Sequence, residues 1–160
     1  MIRVGVLGAR GRMGSEVVKA VSAAQDMELT VALDLGDAQD QFIATKTDVV
    51  VDFTTPDSVM ANLEFLITHD ISAVVGTTGF DDAKLKKLEA LLAAHPKVGV
   101  LIAPNFALGA VLMMEFAAKA ARYFESAEII ELHHPQKVDA PSGTAARTAE
   151  LMTQARRDAS

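Results

Sequence analysis

The chain has 160 residues, half of which are hydrophobic, and a formal net charge of -6 at pH 7. A core of good size is therefore available, whereas the negative charge argues against non-specific binding to nucleic acid. The absence of cysteine excludes a disulfide framework, a thiol nucleophile and a zinc–cysteine site. The N-terminal apolar run is too short for a signal peptide, and the longest apolar tract, around Val111–Ala118, carries Glu115. We therefore expect a soluble, cytoplasmic protein without membrane segments.

The chain begins with a strand, a glycine-rich turn and a helix. Ile2–Leu7 is a short, mostly apolar run of the kind that forms the buried first strand of a parallel sheet. It leads into Gly8-Ala9-Arg10-Gly11-Arg12-Met13-Gly14 and then into a helical pattern. This is a GxxGxxG variant of the dinucleotide-binding fingerprint, in which Gly8 permits a sharp turn, Gly11 the approach of a pyrophosphate and Gly14 close packing of helix on strand. The free N–H groups at the start of the helix would hold the phosphates.

A second strand pattern, Glu28–Leu33, ends on Asp34, twenty positions after Gly14. Folds of this type place at that position the acid that binds the hydroxyl groups of the adenine ribose. Arg10 and Arg12 lie in the phosphate loop and could also accept a 2′-phosphate. The sequence therefore predicts a site for NADH or NADPH and does not choose between them.

Three further strand patterns follow, separated by helices: Asp48–Phe53, Ser72–Val75 and Val98–Ile102. One helix is predicted to open at Pro56 and another to span Asp81–His95. Five strands alternating with helices predict a doubly wound parallel sheet of the α/β class, which binds ligands beyond the carboxyl ends of its strands. At those ends Thr54 and the turn Gly76–Gly79 are explained as well by a plain turn or N-cap as by a ligand contact. The alternation stops near Asn105, where we place a domain boundary.

The second part of the chain predicts a long helix, a strand and a final helix. The long helix spans Gly109–Phe124, with apolar residues at helical spacing that form a core face. A short apolar run predicts a strand at Ala127–Leu132, and the final helix runs from Ser142 to about Arg156.

A polar loop, Glu131–Thr144, connects the predicted strand to the final helix, and its prolines exclude a helix within it. His133 and Lys137 are candidates for proton transfer, and the N–H groups of Gly143 and Thr144 are candidates for binding an anion. A substrate that carries carboxylate and must be protonated would suit this loop. Taken alone, these residue types are explained equally well by an ordinary surface loop. A metal site is disfavoured, because neighbouring histidines of an extended chain point to opposite faces.

Together these motifs resemble the dihydrodipicolinate reductase (4-hydroxy-tetrahydrodipicolinate reductase) family, in particular its actinobacterial members. The resemblance runs along essentially the whole chain and rests on the following motifs: the glycine loop, Asp52-Phe53-Thr54, Gly76-Thr77-Thr78-Gly79, Ala103-Pro104-Asn105-Phe106 and, above all, the segment from His133 to Thr144. It implies an NAD(P)H-dependent oxidoreductase that reduces 4-hydroxy-tetrahydrodipicolinate, a cyclic imine dicarboxylate, to tetrahydrodipicolinate on the route to diaminopimelate and lysine.

The resemblance also implies roles for individual residues. His133 would be the general acid/base and Lys137 the second proton donor, while His134, Gly143 and Thr144 would bind the substrate carboxylates. The residues implied to hold the cofactor are Gly8, Ala9, Arg10, Gly11, Arg12, Met13, Asp34, Gly76, Thr77, Thr78, Ala103, Pro104, Asn105 and Phe106. No metal is implied.

Members of this family continue beyond the position of Ser160 into further strands, which build the sheet of the second domain and a tetramer interface. The resemblance therefore implies a dinucleotide-binding Rossmann domain at residues 1–106 and the N-terminal part of an α+β substrate-binding and tetramerisation domain at residues 107–160. For the complete chain it implies a homotetramer, with the dicarboxylate substrate as its small-molecule partner. Two alternatives are another oxidoreductase of the same fold that acts on a small carboxylate, and a non-catalytic NAD(P)-binding module. The two proton donors in the loop weigh against the second alternative.

Overall fold

The computed structural model describes residues 1–103, 105–133, 135, 137 and 140–159. The chain divides into two compact units, Met1–Ala103 and Pro104–Ser160. In the first unit strands and helices alternate in this order: β1 (Ile2–Leu7), α1 (Arg12–Ala23), β2 (Met27–Leu33), α2 (Asp40–Ala44), β3 (Val49–Asp52), α3 (Val59–Thr68), β4 (Ser72–Val75), α4 (Asp82–Ala94) and β5 (Val100–Ile102).

The five strands form one parallel sheet in the order β2–β1–β3–β4–β5. β1 and β4 have the predicted bounds, and the bounds of β2, β3 and β5 differ from the prediction by one or two residues. The prediction of a doubly wound parallel sheet is therefore confirmed. β1 pairs on both edges, which explains why it reads as a nearly continuous apolar run rather than an alternating one.

Helices cover the two faces of this sheet. On one face, buried side chains of the strands, including Leu7 and Val50, form a single cluster with those of α2, α3 and α4, including Phe42 and Leu63. Val4 and Val6 alternate with Leu7 along β1 and therefore point to the opposite face, where α1 contacts β1, β2 and β3. The sheet is thus a rigid layer on which the strand ends are held in place.

The winding of the chain reverses between β1 and β3. From β1 the chain passes through α1 to β2 on one side, whereas after α2 it returns to β3 on the other side of β1. Parallel sheets bind ligands in the crevice that opens at such a reversal, outside the carboxyl ends of the strands. Gly8 follows β1 at this point and Phe53 follows β3.

One helix of the first unit was not predicted, and the predicted start of another needs correction. The sequence did not reveal α2, because five residues are too few to display a helical period. The helix expected to open at Pro56 begins at Val59 instead. Pro56 lies in a turn, in which the amide of Ser58 donates to the carbonyl oxygen of Thr55 at 3.1 Å before the helix begins.

The described part of the second unit contains two helices, α5 (Leu108–Ala121) and α6 (Gly143–Arg157), which pack on one another. The guanidinium group of Arg156 on α6 donates to the carbonyl oxygens of Ala121 at 3.0 Å and Phe124 at 2.6 Å, at the end of α5. The final helix begins after Ser142 as predicted, and Ser142 Oγ accepts a hydrogen bond from the amide of Ala145 at 3.1 Å. Across the described ranges, no helix is long and apolar enough to span a bilayer.

The prediction of a strand at Ala127–Leu132 is wrong, since these residues form no strand. A strand must pair its backbone N–H and C=O groups with a neighbour, and the described residues of this unit contain no second strand. The apolar side chains that suggested a strand are largely exposed, Ile130 by 84% and Leu132 by 91%.

Candidate functional site

A cavity of about 460 Å³ lies in the first unit, at the carboxyl ends of β1, β2 and β3. Its lining residues are Leu7, Gly8, Gly11, Asp34, Leu35, Gly36, Asp37, Gln39, Phe53, Thr54, Thr55, Ser58 and Asn62. Its volume lies within the range of small-molecule sites, about 300–1,000 Å³. Because it lies where the winding reverses, it is the crevice in which this type of sheet binds its ligand.

The glycine loop forms one end of this cavity. Gly8 has a φ of +75°, a left-handed conformation that favours glycine, and a Cβ there would lie 2.7 Å from the carbonyl oxygen of Phe53. Gly11 is the N-cap residue of α1. It has no side chain that could cap the helix, and the first turn contains no acidic residue. A Cβ at Gly14 would lie 2.7 Å from the carbonyl carbon of Gly8, so the helix packs directly on the turn. The three glycines thus place the start of α1 at the cavity, where its N–H groups can bind an anion. Arg12 and Met13 lie in the exposed first turn of this helix.

Asp34 is held at the cavity wall by two backbone donors. Its Oδ2 accepts from the amide of Arg10 and its Oδ1 from the amide of Leu35, both at 2.8 Å. Hydrogen bonding to Leu35, and then to Arg10, lowers the pKa of the Asp34 carboxyl group below its ordinary value. A fixed, ionised carboxylate therefore lies near the glycine loop, as predicted for the acid that binds ribose hydroxyls.

Asp37 is a neighbour of Asp34 that the sequence analysis missed. Its Oδ2 accepts from the backbone amide of Asp34 at 2.8 Å and from the guanidinium group of Arg10 at 2.9 Å. The only signal was a second carboxylate three positions after Asp34. The side chain of Arg10, one of the two residues predicted to bind a 2′-phosphate, is therefore already paired with the carboxylate of Asp37.

A buried polar chain forms the other side of the cavity. Asp52 is fully buried, and its carboxylate accepts from the amide of Thr54 at 2.7 Å, from Thr54 Oγ1 at 2.6 Å and from Asn62 Nδ2 at 2.9 Å. Asn62 Oδ1 in turn accepts from Gln39 Nε2 at 2.7 Å. No local pattern revealed these contacts, because α2, β3 and α3 bring the three residues together only in the folded chain.

The turn after β4 supports this wall from behind. Thr77 Oγ1 donates to the carbonyl oxygen of Thr54 at 3.1 Å, and a Cβ at Gly76 would collide with the ring of Phe53. Thr78 is exposed, and none of the residues 76–78 lines the cavity itself. Ala9 and Ala103, also predicted to hold cofactor, donate their amides to the carbonyl oxygens of neighbouring strands, Leu33 at 3.0 Å and Val75 at 2.9 Å. Pro104, predicted with them, lies outside the described residues.

A second cavity, of about 290 Å³, lies within the second unit. Its lining residues are Asn105, Met113, Ile129, Ile130, Glu131, His133, Ser142, Thr144, Ala145 and Thr148. Two residues predicted for the substrate and its protonation, Thr144 and His133, therefore line one cavity. Asn105 Nδ2 donates to Thr144 Oγ1 at 3.0 Å, which places Asn105, expected at the cofactor, beside this second cavity. Phe106 is half-exposed and does not line either cavity.

Glu131 connects His133 to the start of α6, a role that was not predicted from the sequence. Its Oε1 accepts from the amide of Ser142 at 2.9 Å, and its Oε2 lies 3.7 Å from His133 Nδ1. Hydrogen bonding to Ser142 lowers the pKa of the Glu131 carboxyl group, and the charges of His133 and Lys137 act in the same direction. Oε2 is buried and accepts no hydrogen bond from the described residues. A carboxylate two positions before a histidine was the available signal.

The remaining residues predicted for this site are Lys137, Gly143 and His134. Lys137 is half-buried, and Gly143 is the first residue of α6, whose first turn contains no acidic side chain. Apart from the amide of Ala145, which donates to Ser142 Oγ, the N–H groups of that turn are therefore available to an anion. His134 lies outside the described residues. Among the residues that are described, no group of three or more His, Asp or Glu side chains could hold a metal ion.

Comparisons with known proteins agree on one family. The family model "Dihydrodipicolinate reductase, N-terminus" matches residues 2–106, and "Dihydrodipicolinate reductase, C-terminus" matches residues 109–160. The chain is 67% identical over 156 residues to the 4-hydroxy-tetrahydrodipicolinate reductase of Thermobifida fusca, covering 98% of this chain and 63% of that protein. It is 64% identical over 155 residues to the enzyme of the same name from Nocardia farcinica, covering 97% of this chain and 62% of that protein.

A solved structure is also similar. It is a dipicolinate-bound dihydrodipicolinate reductase from Paenisporosarcina sp. TG-14, with a TM-score of 0.79 and 41% sequence identity over 98% of this chain and 67% of that one. The chain thus spans 62–63% of the length of the two reductases named above.

Proposed function

The chain belongs to the dihydrodipicolinate reductase family, and from that premise we propose that the protein reduces 4-hydroxy-tetrahydrodipicolinate to tetrahydrodipicolinate with NADH or NADPH. This reaction would serve the synthesis of diaminopimelate and lysine. The observation that supports it most directly is the second cavity, where the imidazole of His133, the carboxylate of Glu131 and the start of α6 occur together. A proton donor beside an anion-binding helix start suits a dicarboxylate that must be protonated.

The first unit fits a dinucleotide. The N–H groups of the first turn of α1 would bind the pyrophosphate, and the fixed carboxylate of Asp34 would accept hydrogen bonds from the adenine ribose. A bound reduced nicotinamide supplies the hydride. We therefore propose that the first unit binds a nicotinamide dinucleotide, that it accepts both NADH and NADPH, and that it prefers NADH. Asp34 and Asp37 would repel a 2′-phosphate, and Arg10 is paired with Asp37.

The second unit would bind and protonate the substrate. Loss of the 4-hydroxyl group as water makes the imine conjugated, and hydride addition to the conjugated imine leaves an enamine, which requires a positioned proton donor. We assign that proton to His133, with Glu131 as the residue that orients the imidazole and Lys137 as the second donor. The N–H groups of Gly143 and Thr144 would bind one carboxylate without a charged side chain. The similar Paenisporosarcina protein binds dipicolinate, a ring with two carboxylates, which supports a cyclic dicarboxylate as the substrate.

The proposed activity is tested by assaying the whole protein with the cyclic imine dicarboxylate and with simple 2-oxo acids, following loss of the reduced nicotinamide. We expect turnover only with the cyclic substrate. Turnover with 2-oxo acids instead would support a different oxidoreductase on the same sheet, and tight cofactor binding without turnover of any substrate would support the non-catalytic module.

For the whole protein we further infer a homotetramer in the cytoplasm, on the resemblance to the family. Sedimentation equilibrium of the whole protein measures its oligomeric state directly. A stable monomer or dimer would contradict it.

We predict that Asp34→Ala weakens NADH more than NADPH. The variant removes a charged acceptor from the ribose hydroxyl groups of NADH, whereas for NADPH it also removes a repelling charge beside the 2′-phosphate. The dissociation constant of NADH should rise by about 10- to 100-fold, the range for hydrogen bonds to a charged group. Isothermal titration with both cofactors measures the two losses, and equal losses would contradict the assignment of Asp34.

Asp37→Asn is the matched variant, for which we predict a shift of cofactor preference in the same direction, through a gain for NADPH instead of a loss for NADH. The amide oxygen of asparagine can still accept from the backbone of Asp34, so the turn is kept, while the charge that pairs with Arg10 is removed. Affinity for NADPH relative to NADH should therefore rise by about two- to fivefold, because exposed ion pairs are weak. The same titrations provide the ratio. An unchanged ratio would show that Arg10 does not contact the 2′-phosphate of NADPH.

A further inference from the structure

The buried polar chain Asp52–Asn62–Gln39 has a fixed direction, which begins at Asp52. A carboxylate offers only acceptors, so Asn62 must turn its amide NH₂ group towards Asp52. Its carbonyl oxygen, Oδ1, then faces away and accepts from Gln39 Nε2 at 2.7 Å. The carboxylate thereby decides which way both amides point, an orientation that electron density at ordinary resolution rarely distinguishes.

At the end of this series of hydrogen-bonded side chains, one acceptor is left, which is Gln39 Oε1. In the described part of the chain Gln39 Oε1 accepts no hydrogen bond, and Gln39 is half-buried in the cavity wall. A role in helix capping does not explain the side chain, since Gln39 is the N-cap residue of α2 and makes no side-chain cap. Satisfying Asp52 does not explain it either, because Thr54 and Asn62 already donate to both carboxylate oxygens.

The order of groups along a dinucleotide shows what would meet this acceptor. With the pyrophosphate at the glycine loop and the ribose at Asp34, the base must lie farther along the same cavity. Besides the glycine loop and Asp34, the lining of this cavity includes Gln39, Thr55, Ser58 and Asn62. Adenine presents a donor there, its exocyclic 6-amino group, whereas hypoxanthine presents a carbonyl oxygen at the same position.

We propose that Gln39, oriented by Asp52 through Asn62, is a specificity residue that accepts a hydrogen bond from the 6-amino group of adenine. This deepens the proposed function, since it rests on dinucleotide binding in the first unit. Asp52 and Asn62 are positioning residues in this proposal, because they act only through Gln39.

The test compares binding of NADH with that of its hypoxanthine analogue, deamino-NADH, by titration of the whole protein in the absence of substrate. The protein should bind NADH about two- to tenfold more tightly, the range expected for one neutral hydrogen bond. Gln39→Leu should weaken NADH by that factor, leave deamino-NADH unchanged and so abolish the preference. Gln41→Leu, in the same helix with an exposed side chain, is the matched control and should keep the preference.

Asp52→Asn provides an independent test. If Asp52 had only a structural role, this variant would not change the preference for NADH over deamino-NADH. The amide of asparagine can donate to Asn62, which would reverse both amides and present Gln39 Nε2 to the base. The preference for NADH should then disappear or invert, whatever the change in overall affinity.

Equal affinity of the unmodified protein for the two dinucleotides would overturn the inference, as would a Gln39→Leu variant that keeps the preference. Failure of both dinucleotides to bind would overturn the proposed function as well. These two failures are therefore distinguishable in one experiment.

Discussion

Gly14→Ala is expected to abolish useful dinucleotide binding. A Cβ at this position would lie 2.7 Å from the carbonyl carbon of Gly8 and 2.9 Å from the Cα of Ala9, and both are backbone atoms that cannot rotate away. The first turn of α1 must therefore shift away from the glycine loop and take its N–H groups with it. Overpacking of this kind costs about 1–3 kcal/mol of stability. Misplacement of a binding group by about 1 Å can cost roughly 100-fold in function, so we expect a loss of at least that size in NADH affinity.

Gly99→Ala is the control for this variant. Gly99 belongs to the same unit, has no left-handed φ, and its Cβ would meet nothing nearer than Ser72 Oγ at 4.0 Å. It should leave NADH affinity unchanged. Thermal unfolding of both variants, alongside NADH titration, separates loss of the fold from loss of the site. A folded Gly14→Ala protein with ordinary NADH affinity would show that the first turn of α1 does not bind the pyrophosphate.

The sequence predicted the parts of the fold that depend on local patterns. β1 and β4 are buried strands whose apolar runs end at Gly8 and Gly76, and both were predicted with their observed bounds. The start of α6 was predictable for a similar reason, since Ser142 follows a proline and caps the helix with its own side chain. In each case a few adjacent residues determine the backbone.

The features that were not predicted correctly from the sequence depend on contacts between distant residues. Ala127–Leu132 has the composition of a strand, but a strand forms only with a partner, and none is present among the described residues. The chain from Asp52 to Gln39 joins residues from three elements, so no spacing in the sequence could indicate it. Asp37 and Glu131 lay within three positions of residues that were singled out, yet their roles follow from hydrogen bonds formed only in the fold.

His133→Ala is expected to lower kcat of the whole protein by about 10²–10⁴-fold, the usual contribution of a positioned proton donor. His133 lines the second cavity and its Nδ1 lies 3.7 Å from Glu131 Oε2, so the variant removes the donor and leaves the carboxylate in place. NADH affinity should barely change, because the first cavity is built entirely from residues of the first unit. Stopped-flow measurement of a single turnover, together with NADH titration, tests both statements.

Two further substitutions test the roles assigned to Lys137 and Glu131. Lys137→Ala should lower kcat by a similar factor of about 10²–10⁴ if Lys137 is the second proton donor. Glu131→Gln keeps an oxygen that can accept from the amide of Ser142 but removes the charge beside His133. Its effect on kcat should be smaller than that of His133→Ala, and it should add nothing when combined with that variant, because Glu131 acts through the imidazole.

His69→Ala serves as the matched control, since His69 lies at the end of α3, bonds the carbonyl oxygen of Phe65 at 2.7 Å and lines neither cavity. It should leave kcat unchanged. If His133→Ala instead kept near-normal turnover at saturating substrate while KM rose, the imidazole would bind a substrate carboxylate rather than transfer the proton. Lys137 would then be the remaining candidate for proton transfer among the residues singled out here, and its variant alone would have to show the full loss of kcat.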